Sequence, residues 1–296
     1  MTSLRRAWAG PLGAVQPHTD VGPRLRIADR LAAAVLVLAA ISAVAGLVVV
    51  GLYRDTEEMV RQARAADAVT LMVAVPALGF GLLRARAGSL AGRLLVLAAL
   101  GYLAYNYAIF GFSVVITAMT PVHLAILGLA TWALVLTLFG LDTITVDRAA
   151  TARLPRRAVG GFLIVVAALF ALLWLGEIAG AISSGQLPSS VAELGLPTSA
   201  IYALDLAFAL PLIALAGWWL LRDERQGRAS ALAALTWLAL MGLSVLAIFA
   251  VDAAAGVASA SGADALVPAA IFATITGVAA LFAIVGFMSL GHTATP

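Results

Sequence analysis

The sequence predicts an all-α fold: a polytopic transmembrane helical bundle of eight spans with both termini cytoplasmic. Three observations predict it. The chain is 63% hydrophobic, its mean hydropathy is +1.05 and only 11% of its residues are charged, against about 25% in soluble domains. Its apolar runs reach about 17–25 residues, the length that crosses a hydrocarbon core of about 30 Å. Its arginines fall almost entirely in alternate connections between those runs.

In chain order the spans are expected at about 31–53, 68–84, 94–112, 120–141, 159–182, 200–221, 229–251 and 267–290. The first is a Leu/Ala/Val run behind Arg30 and serves as an uncleaved signal anchor. The second is short and contains Pro76; the third carries "GYLAYNYAIFGF"; the fourth opens on "TPVHLAI". The fifth carries "FALLWLGEIAGAI", and the sixth, "IYALDLAFALP", contains Pro211. Small residues along the seventh and eighth, including Gly277 and Gly286, permit close helix packing. The domain reading follows: residues 1–30 a disordered cytoplasmic tail, 31–290 the transmembrane domain, 291–296 a cytoplasmic tail. Arg5 and Arg6 suggest a twin-arginine signal, but the polar, Pro-broken segment after them lacks an apolar signal core.

With the N-terminus inside, fifteen of the eighteen basic residues lie on the cytoplasmic side. Only Arg54, Arg61 and Arg64 lie outside, accompanied by Asp55, Glu57, Glu58 and Asp67. This is the positive-inside distribution, and omitting one span would invert every later loop. The segment "YRDTEEMVRQARAAD" reads as a solvated charged connector, with a helix along the interface as the alternative. The loop Ser183–Ser199, rich in Ser, Gly and Pro, is long enough to fold over the mouth of the bundle. A four-plus-four parallel duplication is compatible with this topology, and no matching motif in the two halves supports it.

A charge in mid-membrane costs at least about 2.5–3.5 kcal/mol and needs a reason. Glu177 and Asp205 lie about 7–8 Å below the outer interface, on consecutive spans. Tyr102, Tyr105 and Asn106 share one face of the third span at a similar depth, and His123 lies one turn inside the fourth. These six residues are the candidate binding or proton-coupling set. They point to an outward-facing polar pocket, in which a low-dielectric site disfavours the ionised carboxylate and links binding to protonation of Glu177 or Asp205. The bland alternatives are interhelical hydrogen bonding for the acids, interfacial placement for His123 and packing for the tyrosines. Tyr107 reads as an aromatic-belt residue and Asp252 as a solvated helix end. The cytoplasmic half of the spans is read as nearly free of ionisable groups.

Several chemistries are excluded. There is no cysteine, so no disulfide or thiolate site exists. Every basic residue is arginine, which removes Schiff-base chemistry and a phosphate-loop lysine. His18, His123 and His292 are the three histidines, too few within the membrane for a multi-histidine zinc or haem site. A mixed site of Glu177, Asp205 and His123 stays geometrically open, although no cofactor or metal is expected. The sequence pI of about 9.8 reflects arginines placed by topology, so no nucleic-acid partner is expected.

"GYLAYNYAIFGF", the Trp-Leu-Gly-Glu of the fifth span and "IYALDLAFALP" together resemble a group of bacterial polytopic membrane proteins with no assigned activity. The resemblance covers roughly residues 90–225. It implies a helical fold of about eight spans and no particular reaction, and it sets Tyr105, Asn106, Glu177 and Asp205 in the shared polar cluster. Lys-free, Ala- and Arg-rich usage also fits a bacterial genome, and the expected location is the bacterial plasma membrane. Three readings follow: a pocket that binds or transports a small solute, cation or lipid headgroup; an enzyme acting on a lipid or isoprenoid; and a structural or assembly subunit of a membrane complex.

Overall fold

A computed structural model describes residues 22–141, 154–257 and 263–291. Among them, eight helices are long and apolar enough to cross a membrane, and no strand occurs. They are α1 (Pro23–Val48), α2 (Glu57–Arg86), α3 (Leu90–Ser113), α4 (Thr120–Gly140), α5 (Arg156–Ser184), α6 (Ala200–Leu221), α7 (Gly227–Ala254) and α8 (Ala263–Gly291). Neighbours in sequence run antiparallel. The end of the bundle holding Pro23 also holds the 87–89 and 222–226 turns; below it is called the near end, and the opposite one the far end. Most of residues 1–30, with Arg5, Arg6 and His18, lie outside the described residues, as do Arg148, Arg153, His292 and most of the 291–296 tail.

Two boundaries differ from expectation. The first helix starts at Pro23, where proline suits a first turn because its missing N–H is unneeded there. Asp29 is therefore helical and buried, and it forms an ion pair with Arg93 of α3 near the near end. The half of the bundle at the near end, read as nearly free of ionisable groups, thus holds a buried charge pair. The second helix absorbs the expected connector. Thr56 caps it by accepting from the Met59 N–H at 3.3 Å, and Glu57 and Glu58 occupy its positive end. Nothing from there to Pro76 breaks the helix. Met59, Ala63 and Ala66 are buried, while Arg61 is neutralised by Glu58 and Asp252.

Pro76 and Pro211 do not end their helices. Each follows a five-residue π segment, Thr70–Ala74 in α2 and Asp205–Ala209 in α6. Proline cannot donate to the preceding turn and its ring crowds the carbonyl there. The widened turn absorbs the misfit, with Val75 N–H bonding to the Thr70 carbonyl and Leu210 N–H to that of Asp205.

The α2–α3 and α6–α7 segments of the two halves resemble one another. A single step along the chain carries Thr70 onto Asp205, Pro76 onto Pro211 and Gly92 onto Gly227 (205 − 70, 211 − 76 and 227 − 92 are equal). The same step carries the α2–α3 turn onto the α6–α7 turn, bond for bond. Gly88 N–H donates to Ala85 O at 3.0 Å and Asp223 N–H to Leu220 O at 3.2 Å. Ser89 N–H donates to Arg84 O at 2.9 Å and Glu224 N–H to Trp219 O at 2.9 Å. Both are helix C-terminal motifs built on a left-handed residue, Gly88 (φ 81°) and Asp223 (φ 57°). Arg156 and Arg228 hold the Asp223 carboxylate. The correspondence is confined to these segments: α1 packs closely on α4, and α5 has no comparable packing on α8 among the described residues.

Each half has its own apolar core. In the first, α1 packs on α4 and α2, and α3 on α2 and α4, around Val35, Leu78, Leu100, Leu103 and Ile126. In the second, α6 packs between α5 and α7, and α8 on α7, around Leu163, Ile213, Leu232 and Leu235. Glycine allows α5 and α6 to cross closely: a Cβ on Gly160 would sit 2.9 Å from Gly217 O, and one on Gly217 2.8 Å from Gly160 O. The halves meet where α7 lies against α3 and α2.

Candidate functional site: an aromatic cavity between the halves

Asp205 opens the π segment of α6 and is buried. One carboxylate oxygen accepts from the Tyr105 hydroxyl of α3 at 2.8 Å, and the other from Trp174 Nε1 of α5 at 2.7 Å. Trp Nε1 can only donate, so the pair is built for an acceptor. Tyr105 in turn meets the Trp237 ring of α7 edge-on, with centroids 5.4 Å apart. Asp205 is thereby held by α3 and α5, and α7 braces Tyr105.

These residues border a cavity of about 480 Å³ that runs between the halves from the far end to Leu210, Ile213 and Leu238. Its walls are mostly apolar and aromatic, with Asn106, Gln62, Ser190 and Ser244 as neutral polar groups. Among the described residues the lining holds three carboxylates, Glu58, Asp205 and Asp252, and no basic side chain. At the mouth, Arg61 Nε donates to Asp252 at 2.8 Å and its guanidinium also pairs with Glu58, linking α2 to α7. Asp252 is therefore buried and paired, where a solvated helix end was expected.

Asn106 lines the cavity and donates to Thr70 Oγ1 at 3.4 Å. Tyr102 sits one layer behind: it is fully buried, and its hydroxyl pairs with Ser244 Oγ at 2.8 Å and reaches Thr70 at 3.5 Å. Glu177 is separate. It lies at the far end of α5, outside the lining, and accepts from Tyr202 at 2.5 Å and from Ser190 at 3.0 Å. The two acids do not share one chamber. They are linked through Trp174, which donates to Asp205 and packs its ring 5.6 Å from that of Tyr202. Ser190 belongs to a single helical turn, Ser189–Ala192, in the loop expected to cover the mouth; it lines the cavity while bonding Glu177.

His123 lies elsewhere. It is buried in the first half between the rings of Phe110 (4.9 Å) and Tyr107 (5.6 Å), and neither ring nitrogen has a partner among the described residues. The mixed Glu177, Asp205 and His123 site is not assembled, and among the described residues no group of three or more such side chains could hold a metal. Tyr107 is likewise core, with its hydroxyl 3.5 Å from Ala39 O; it is no belt residue.

Sequence reasoning missed Thr70, Trp237, Ser244 and the Asp67 pair. Asp67, read as a loop residue, is fully buried and accepts from Tyr53 at 2.6 Å. Burial first, and then Asp67, push the Tyr53 hydroxyl up, which keeps it the donor. The available signal for Thr70 was its spacing to Pro76, matching that of Asp205 to Pro211. A second recess, of about 710 Å³, is lined mainly by apolar groups such as Phe112, Ile182 and Phe208, which are exposed on the flank that lipid would cover. No carboxylate lines it.

Comparison with family models, with curated proteins and with solved structures found no match for this chain.

Proposed function

We propose that the protein is a multi-pass protein of a bacterial plasma membrane that binds or transports a small solute or cation, taken from the extracytoplasmic side into the cavity between its halves. The carrying observation is Asp205: a buried carboxylate on the π segment of α6, held by two donors and bordering a cavity between the two halves. π segments inside helices are frequent at functional sites, and membrane transporters place substrates between the halves of their bundles. The arginine distribution supports a far end that faces out of the cytoplasm. Protonation coupled to binding belongs to Asp205 in this reading, and Glu177 holds the covering loop through Ser190.

Native mass spectrometry of protein extracted from its own membranes tests this. A small solute is expected on the wild type and lost from the cavity-filling Met241→Trp and from Asp205→Asn. Folded wild type that never retains a solute at this site counts against it.

The neighbouring apolar recess supports a second reading, an enzyme acting on a lipid or isoprenoid. It requires a new product from a lipid extract incubated with purified protein; the recess holds no carboxylate, so the chemistry would fall to Asp205, next to its Leu204 wall, and Asp205→Asn would abolish the product.

A further inference from the structure

We infer that the ligand of this cavity is an organic cation with an apolar body, its ammonium group seated against Asp205 and the surrounding rings. This rests on the proposed solute-binding reading and adds the ligand's chemistry.

Sign comes first. Among the described residues, Glu58, Asp205 and Asp252 line the cavity and no basic side chain does. Arg61 answers Glu58 and Asp252 at the mouth. Asp205 has only the neutral donors Tyr105 and Trp174. An anion would meet an acidic wall in a low-dielectric space, where like charges interact strongly. A cation supplies the counter-charge that Asp205 lacks.

Shape and lining decide which cation. A bare metal ion needs a shell of several oxygen ligands, and no group of three or more acidic or histidine side chains is placed for one among the described residues. The walls instead offer Trp174, Trp237, Tyr105, Phe170, Phe249 and Phe272. Ring faces attract ammonium groups, and aromatic cages recognise quaternary ones. The volume of about 480 Å³ lies within the range of about 300–1,000 Å³ typical of organic-ligand sites. Below Asp205 the cavity ends on Leu210, Ile213, Leu238 and Ile275, which suit the apolar body. A carboxylate has about four acceptor positions, so the two donors already present leave it free to face a cation.

Three probes of one shape test the inference: benzyltrimethylammonium, its neutral carbon isostere neopentylbenzene, and the anion benzenesulfonate. Each is titrated calorimetrically into protein in lipid nanodiscs, with empty nanodiscs subtracted. The cation is expected to bind saturably, at least about tenfold more tightly than either competitor, as a charge partner in a desolvated site requires. Asp205→Asn is expected to remove that preference, and Trp237→Leu, which leaves the carboxylate intact, to weaken the cation alone. Equal or tighter binding of the isostere or the anion overturns the cation class and leaves the pocket reading standing. Absence of binding by all three overturns the inference, and the mass-spectrometric result then decides whether the pocket reading survives. A cation preference that persists in both folded variants also overturns it, by placing the cation elsewhere.

Discussion

Asp205 shows how one side chain can be both costly and held. Its two donors come from α3 and α5, so Trp174→Phe keeps the ring and removes one of them. We expect this change to lower thermal stability in detergent by about 1–3 kcal/mol, the typical effect of an unsatisfied buried group. A melting temperature equal to wild type would show that the bond contributes nothing. The Asp29–Arg93 pair makes a sharper case. Removing one partner of a buried ion pair typically costs about 3–5 kcal/mol, because the remaining charge is stranded. Arg93→Met should therefore be strongly destabilising, and Arg93→Met with Asp29→Leu should recover most of the loss. Equal damage from the single and double variants would mean that charge compensation is not what matters there. Gly46 is a third test: a Cβ would lie 1.8 Å from Asp67 Oδ2 and 2.6 Å from the Tyr53 hydroxyl. Gly46→Ala should cost about 1–3 kcal/mol, whereas Gly128→Ala, with open space around it, should not destabilise.

The π segments of α2 and α6 decide where polar groups point. A π turn adds one residue to a helix, which rotates what precedes it by about 100° relative to a continuous α-helix. Asp205 reaches Tyr105 and Trp174 with that turn in place. Pro211→Ala removes the reason for the widening. The expected outcome is a regular α6, loss of the Asp205–Trp174 bond and a changed Trp174 emission, with overall stability nearly intact. Pro76→Ala should leave Trp174 unaffected. An emission spectrum unchanged in Pro211→Ala would show that the packed helices, and not the proline, maintain the turn. The absorption of residues 57–67 into α2 belongs to the same physics. Charged residues enter a spanning helix when partners on another helix neutralise them, as Asp252 does for Arg61.

The bundle as a whole is two four-helix units joined around a shared cavity, and its orientation is open to direct measurement. The chain has no cysteine, so single-cysteine variants report cleanly. Gln186→Cys at the far end should react with a membrane-impermeant maleimide on intact cells. Glu224→Cys at the near end should react only after permeabilisation. The opposite pattern would reverse the topology and take the extracytoplasmic cavity with it.

Much of this was legible in the residues. Hydrophobic runs of membrane-spanning length specified the helices, because every backbone polar group in lipid must be satisfied within its own segment. Asp205, Tyr105 and Asn106 were also legible, because an uncompensated polar group in such a run demands partners. What the sequence by itself determined, then, was the class of fold, the number of spans and the residues under electrostatic strain. Only the tertiary structure decided which of them meet. Glu177 and Asp205 have similar depths, yet depth along a helix says nothing of rotation about it. That rotation depends on the π turns and on how Trp174 wedges between the two acids. His123 and Tyr107 went to a core and Asp252 and Asp29 to ion pairs, and the matched spacing of Pro76 and Pro211 gained its meaning only from the π turns and helix-ending bonds around them, because side chains drift while a turn that closes two helices keeps its geometry.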